Sequence, residues 1–169
     1  RHGDCWQIGD HVLLCGDALK PENYKRLLQG KRAQAVFVDP PYNVPIAGNV
    51  SGLGKKQHRE FAMASGEMNR QEFTNFLRRA LKNLAAFSVD GSIHFVCMDW
   101  RHIRELADAA DDVYTELKNI CVWSKSNAGM GSLYRSAHEF VFVYKNGRAK
   151  HINNVELGRF GRSRTNIWH

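Results

Sequence analysis

Two hydrophobic periods alternate along this chain, and their alternation sets the expected fold. His11 to Cys15 reads as a short strand closed by Gly16 and Asp17. Residues 33–38, Ala-Gln-Ala-Val-Phe-Val, read as a buried strand. Pro40 and Pro41 must end it, because proline has no N–H for a ladder and fixes φ. Residues 92–98, 114–123 and 138–145 have the same character. Helical spacing takes over in between. Pro21 opens and Gly30 stops a short helix. Asn69 caps a longer one reaching about Phe87, which buries Phe73, Leu77, Ala80, Leu81 and Leu84. Asp99 caps a third, from Trp100 to about Ala110. Strand, helix, strand over residues 11–38 is the unit of a parallel sheet, so the expected class is α/β in one domain over residues 1–169. Asp90-Gly91 reads as a turn before the 92–98 strand, and His94 within it as a hydrogen-bonded core histidine.

Three stretches lack either period. Residues 43–68 are rich in glycine, carry Lys55, Lys56 and Arg59, and are longer than most structureless loops of compact domains, so they read as a flexible loop. Residues 126–135 form a second loop; its Gly129-x-Gly131 lacks the third glycine of a dinucleotide loop. Residues 146–166 are irregular and hold Arg148, Lys150, Arg159, Arg162 and Arg164 against Glu156 alone, a composition suited to phosphate contact.

The formal charge of +7 and pI near 9.4 suggest a polyanionic partner. No apolar run approaches the ~20 residues of a membrane span and no signal segment opens the chain, so a cytoplasmic protein is expected. Cys5, Cys15, Cys97 and Cys121 lack paired spacing and read as buried reduced thiols; neither they nor the histidines suggest a metal.

The chemistry concentrates in Asp39-Pro40-Pro41-Tyr42-Asn43. In open α/β sheets, ligands collect outside the carboxyl ends of the strands, where this block sits. In the amino-group DNA methyltransferases, which this block resembles, the acceptor is an exocyclic amine of a nucleobase, a poor nucleophile because its lone pair is delocalised into the ring. The Asp39 carboxylate and the Pro40 carbonyl, held in direction by Pro41, are acceptors able to take both N–H bonds of such an amine and localise the lone pair. Tyr42 is placed to stack on the base, which must first be flipped out of its duplex.

The block resembles the DPPY signature of the amino-group DNA methyltransferases, which methylate adenine N6 or cytosine N4 with S-adenosylmethionine. Two further blocks resemble the same family in the same order. One is Trp123-Ser124-Lys125, the glycine-containing loop with Tyr134-Arg135, then His138-Glu139. The other is Arg164-Thr165-Asn166-Ile167-Trp168. The order is that of the β-type class, with DPPY near the amino end. The resemblance implies a Rossmann-like methyltransferase sheet with flanking helices, Asp17, Asp39 and Asp99 near the cofactor, and a loop with Lys125, Tyr134, Arg135, His138 and Glu139 walling the base pocket. It also implies a target-recognition segment near residues 146–166. Candidate nucleic-acid contacts are Asn43, Lys55, Lys56, Arg59, Lys125, Tyr134, Arg135, Arg148, Lys150, Arg162 and Arg164. Asp17 also suits a simple turn, and Asp99 a helix cap.

By the same likeness, the glycine-rich cofactor loop is expected after His169. The chain is therefore expected to be a partial catalytic domain, incomplete at its carboxyl terminus, that binds cofactor weakly, methylates little and leaves a sheet edge open to self-association. The implied function is site-specific methylation of double-stranded DNA in a bacterial or phage setting, and Asp39 in the first motif position favours adenine over cytosine. The alternatives are a non-catalytic nucleic-acid-binding module, an RNA or protein-glutamine methyltransferase, whose motif usually begins with asparagine, and a degenerate, inactive copy.

Overall fold

A computed structural model describes residues 1–45, 61–129 and 133–169. The basic group Lys55, Lys56 and Arg59 lies outside the described residues, as does most of the expected 43–68 loop.

The main sheet has five strands: β3 (Ala33–Val38), β4 (Ser88–Met98), β5 (Glu116–Ser124), β6 (His138–Lys145) and β7 (Ile167–Trp168), in spatial order β3-β4-β6-β5-β7. β3 runs parallel to β4, β6 is antiparallel to β4 and β5, and β7 runs parallel to β5. This is the expected α/β sheet with flanking helices, mixed rather than all parallel. Helix α2 (Arg70–Ala86) starts on a complete capping box: the Asn69 side chain accepts from the Glu72 N–H, and the Glu72 carboxylate accepts from the Asn69 N–H. After the 3₁₀ turn Trp100–His102, α3 (Ile103–Ala110) packs with α2 on one sheet face. Phe73, Leu77, Leu81, Leu106, Val96, Met98 and Phe142 form that core. On the other face lies a smaller cluster, Cys97, Cys121, Val141 and Val143 with Tyr42, Ile93, Phe95 and Trp168, which contains no helical residue.

Four expectations are corrected. His11–Leu14 (β2) does not join the main sheet; it pairs antiparallel with Cys5–Ile8 (β1) in a separate hairpin. Gly9-Asp10 is its two-residue connection, and Gly9 at φ +57 supplies the backbone such hairpins demand. Helix α1 (Pro21–Leu28) follows, with Tyr24 stacked on Phe87. β3 is an edge strand rather than a buried one, and its Phe37 is 64% exposed. β4 begins four residues before Ser92, because Asp90-Gly91 forms a bulge inside the strand, opposite Gln34, with Gly91 at φ +82. Cys5 and Cys15 are exposed, and only Cys97 and Cys121 are buried.

His94 is fully buried and hydrogen-bonded to Ser92 Oγ at 3.2 Å and Tyr114 Oη at 2.8 Å. Among the described residues, no helix is long and apolar enough to cross a membrane, and no group of three metal-ligating side chains occurs.

Candidate active site at the carboxyl end of the sheet

Register brings the candidate chemistry together. Val38 pairs with Val96, so the chain leaves β3 at Asp39 level with Cys97 on β4. Antiparallel pairing places Phe140 beside Met98 and His138 beside Ser124, which delivers Glu139 and Lys125 to the same end of the sheet. Pro40 and Pro41 carry the chain away from the ladder, and Tyr42 turns back. Its hydroxyl donates to Asp39 Oδ1 at 2.5 Å, while its ring packs against both core clusters. Asp39 and Tyr42 therefore lie on the same side of the sheet edge.

The electrostatics follow from this convergence. Burial, and then the bond to Asp39, hold the Tyr42 hydroxyl far above its ordinary pKa, so it stays a donor and fixes one carboxylate oxygen. Burial, then the charges of Asp39 and Glu139, push the Cys97 thiol up to about 12; this is an unreactive thiol between two carboxylates. Glu139 is paired with Lys125 at 2.5 Å, and the ammonium lies 5.6 Å from the centre of the Trp123 ring. Among the described residues Asp39 has no ion-pair partner.

Asn43 does different work. At φ +53, a backbone that asparagine tolerates better than most residues, its amide donates to the Met68 carbonyl at 2.8 Å. Its side-chain oxygen accepts from the N–H groups of Gly66 (3.0 Å) and Met68 (3.2 Å). Both lone pairs are used in joining the block to the start of α2, and the residue is buried. This clamp is a role the sequence reading did not foresee; the signal was an asparagine directly after a rigid turn.

The other candidates divide. Asp99 reaches the same sheet end but caps the 3₁₀ turn through Arg101 N–H at 2.9 Å, and both its oxygens meet the Arg101 guanidinium at 3.0–3.1 Å. Asp17 accepts from Leu19 N–H in a local turn, and the next carbonyl, of Ala18, accepts from Asn83. Asn83 lies near the far end of α2, about 20 Å along the helix from Asn69 at 1.5 Å per residue, so Asp17 is not brought to Asp39. Arg135 ties back to the Gly129 and Ala128 carbonyls, and Tyr134 is largely exposed. Arg148 and Lys150 follow the end of β6, where Gly91 N–H donates to the Asn146 carbonyl and Ile152 N–H to that of Gly91. That is the opposite end of the sheet. Arg162 organises its own loop, and Arg164 lies two residues before Asn166, whose carbonyl accepts from Val122 N–H next to β7.

Solved structures share this fold at low identity. PvuII DNA methyltransferase (cytosine-N4-specific) superposes with a TM-score of 0.61 at 12% identity, over 95% of this chain and 57% of its own. M1.HpyAVI gives 0.57 at 17% identity, over 89% and 63%. TTHA0409 of Thermus thermophilus gives 0.52 at 12% identity, over 86% and 64%. The chain thus spans roughly three-fifths of these neighbours' lengths. The N6/N4 methyltransferase family model, described as DNA methylase, matches residues 33–166, from the first residue of β3 to the one before β7, and by that match the chain belongs to this family.

Proposed function

We propose that this chain carries the base-reacting part of a methyltransferase that transfers a methyl group from S-adenosylmethionine to the exocyclic amine of a flipped base in double-stranded DNA, adenine N6 in preference to cytosine N4. The observation that carries the reading is the 2.5 Å bond from the Tyr42 hydroxyl to Asp39 at the end of β3. It occupies one carboxylate oxygen and leaves the other for an amine hydrogen, beside the Pro40 carbonyl. Two acceptors in fixed directions pull the nitrogen lone pair out of the ring plane. The uncovered part of the Tyr42 ring offers a surface for the base. When the methylated amine sheds its proton, the Asp39 side chain would accept it. Lys125, Tyr134 and Arg135 border this end, with Arg164 nearer the β7 edge.

The bound cofactor supplies an electrophilic methyl on a cationic sulfonium. Its fit here is partial. The Asp39 carboxylate suits a sulfonium, whereas Asp99 is committed to its cap and Arg101, and Asp17 to a turn near the other end of α2. The 169-residue chain should therefore bind S-adenosylmethionine weakly, which isothermal titration calorimetry measures; tight binding would show that these residues already make a full cofactor site. Adenine preference rests on aspartate in the first motif position. Methyl transfer to duplexes whose only methylatable amines are adenine N6 or cytosine N4 decides it in the protein that carries this chain.

A further inference from the structure

The loop leading into β7 holds an aromatic ring in water at evident conformational cost. Phe160 is 73% exposed and sits at φ +54, a left-handed backbone that phenylalanine rarely adopts. Glu156, Gly158 and Gly161 also have positive φ, so four of six consecutive residues are left-handed. The loop is tethered throughout. Asn153 Oδ1 accepts from the N–H groups of Val155 (3.1 Å) and Glu156 (3.0 Å). The Glu156 carboxylate takes Arg159 at 2.6 Å and Arg162 at 3.4 Å, and Gly158 N–H donates to the Arg162 carbonyl at 2.9 Å. With this much order, an exposed ring is a presented ring. The Arg159 and Arg162 guanidiniums lie 4.7 and 5.6 Å from its centre.

We propose that the 153–162 turn is a nucleobase-stacking finger, in which Phe160 wedges into an opened base step of a DNA duplex and the neighbouring guanidiniums meet its phosphates. The charge selects this occupant. Residues 153–166 carry three arginines, Arg159, Arg162 and Arg164, against Glu156 alone, which complements a polyanion, and the flat surface that a nucleic acid opens to an aromatic ring is a base. The finger empties into β7, four strand spacings from β3, or about 19 Å at 4.8 Å each. The inference rests on the DNA reading above.

Fluorescence anisotropy of a short labelled duplex of mixed sequence, titrated with the full 169-residue chain at several salt concentrations, tests it. Phe160→Ala should weaken binding roughly fivefold, the low end for losing one base-aromatic stack, because opening the base step offsets part of the gain. The salt slope should stay unchanged because no charge is lost. Phe160→Trp should restore affinity and lose emission on binding. Thermal melts of both variants should match the parent chain, since the ring is exposed. Parent-like affinity of Phe160→Ala, or unquenched emission from Phe160→Trp, overturns the finger while leaving the DNA reading intact. A parent chain that binds no duplex at any salt overturns the DNA reading itself and the finger with it. If Phe160→Ala instead abolishes self-association in sedimentation and leaves duplex affinity unchanged, the ring is a protein contact and the proposal falls.

Discussion

The two ends of the main sheet are both crowded with polar side chains, yet they are built on opposite principles. At the amino end of β4, Asn146, Asp90 and Thr115 close on the protein itself. Asn146 donates to the Ala85 and Val89 carbonyls and to Ser92 Oγ, Asp90 accepts from Ala149 N–H, and Thr115 donates to the Gly147 carbonyl. At the carboxyl end, among the described residues, Asp39 has one oxygen bound by Tyr42 and no ion-pair partner, and Glu139 is held by a single lysine. Saturated polar groups specify a fold, whereas capacity left over beside a rigid turn marks a place for chemistry.

The comparison breaks most visibly at Asp39. In the protein that carries this chain, Asp39→Asn should cut methyl transfer by about 10²–10³, the usual cost of losing one preorganised electrostatic contact, with the thermal midpoint nearly unchanged. A variant with near-normal turnover removes the reason to call this end active.

The saturated end should respond in stability instead. Burial lowers the His94 pKa from its ordinary 6.5 to about 4. As pH falls below 6.5 the unfolded chain takes up a proton that the folded chain refuses, so stability drops between pH 6.5 and 4. The full loss is on the order of 3 kcal/mol at about 1.36 kcal/mol per unit. Urea unfolding at about pH 7 and about pH 5 should show the trend, and His94→Phe should flatten it.

Gly91→Ala should cost about 2 kcal/mol, since the position combines φ +82 with an added Cβ that would fall 2.4 Å from the Lys150 carbonyl oxygen. Turnover per folded molecule should be untouched. Tyr42→Phe keeps the ring and removes only the bond to Asp39; turnover should fall about tenfold, as for a hydrogen bond to a charged group worth ~1.5 kcal/mol. The smallest effect belongs to Arg148→Gln with Lys150→Gln. Both residues lie at the saturated end, so duplex affinity should change less than about twofold, and a large loss would move the DNA path to that end.

The sequence by itself determined the local units. The Asn69 capping box, the helical stripe through Phe73 and Leu77, the strands ending at Asp39 and beginning at His138, and the Asp99 cap are set by nearest neighbours in the chain, where period and capping chemistry are legible. The aspartate, prolines and tyrosine of the candidate site stand out in the sequence too, because two adjacent prolines after a strand leave few alternatives. Only the tertiary structure decided which strands are neighbours. It put β3 on an edge, diverted β2 into its own hairpin, made Asp90-Gly91 a bulge rather than a turn, and sent Arg148 and Lys150 to the far end while Glu139 and Lys125 joined Asp39. Register between strands distant in sequence depends on side chains that meet only after folding. A charge read along one dimension therefore says that a partner is anionic, but not which side of the molecule it meets.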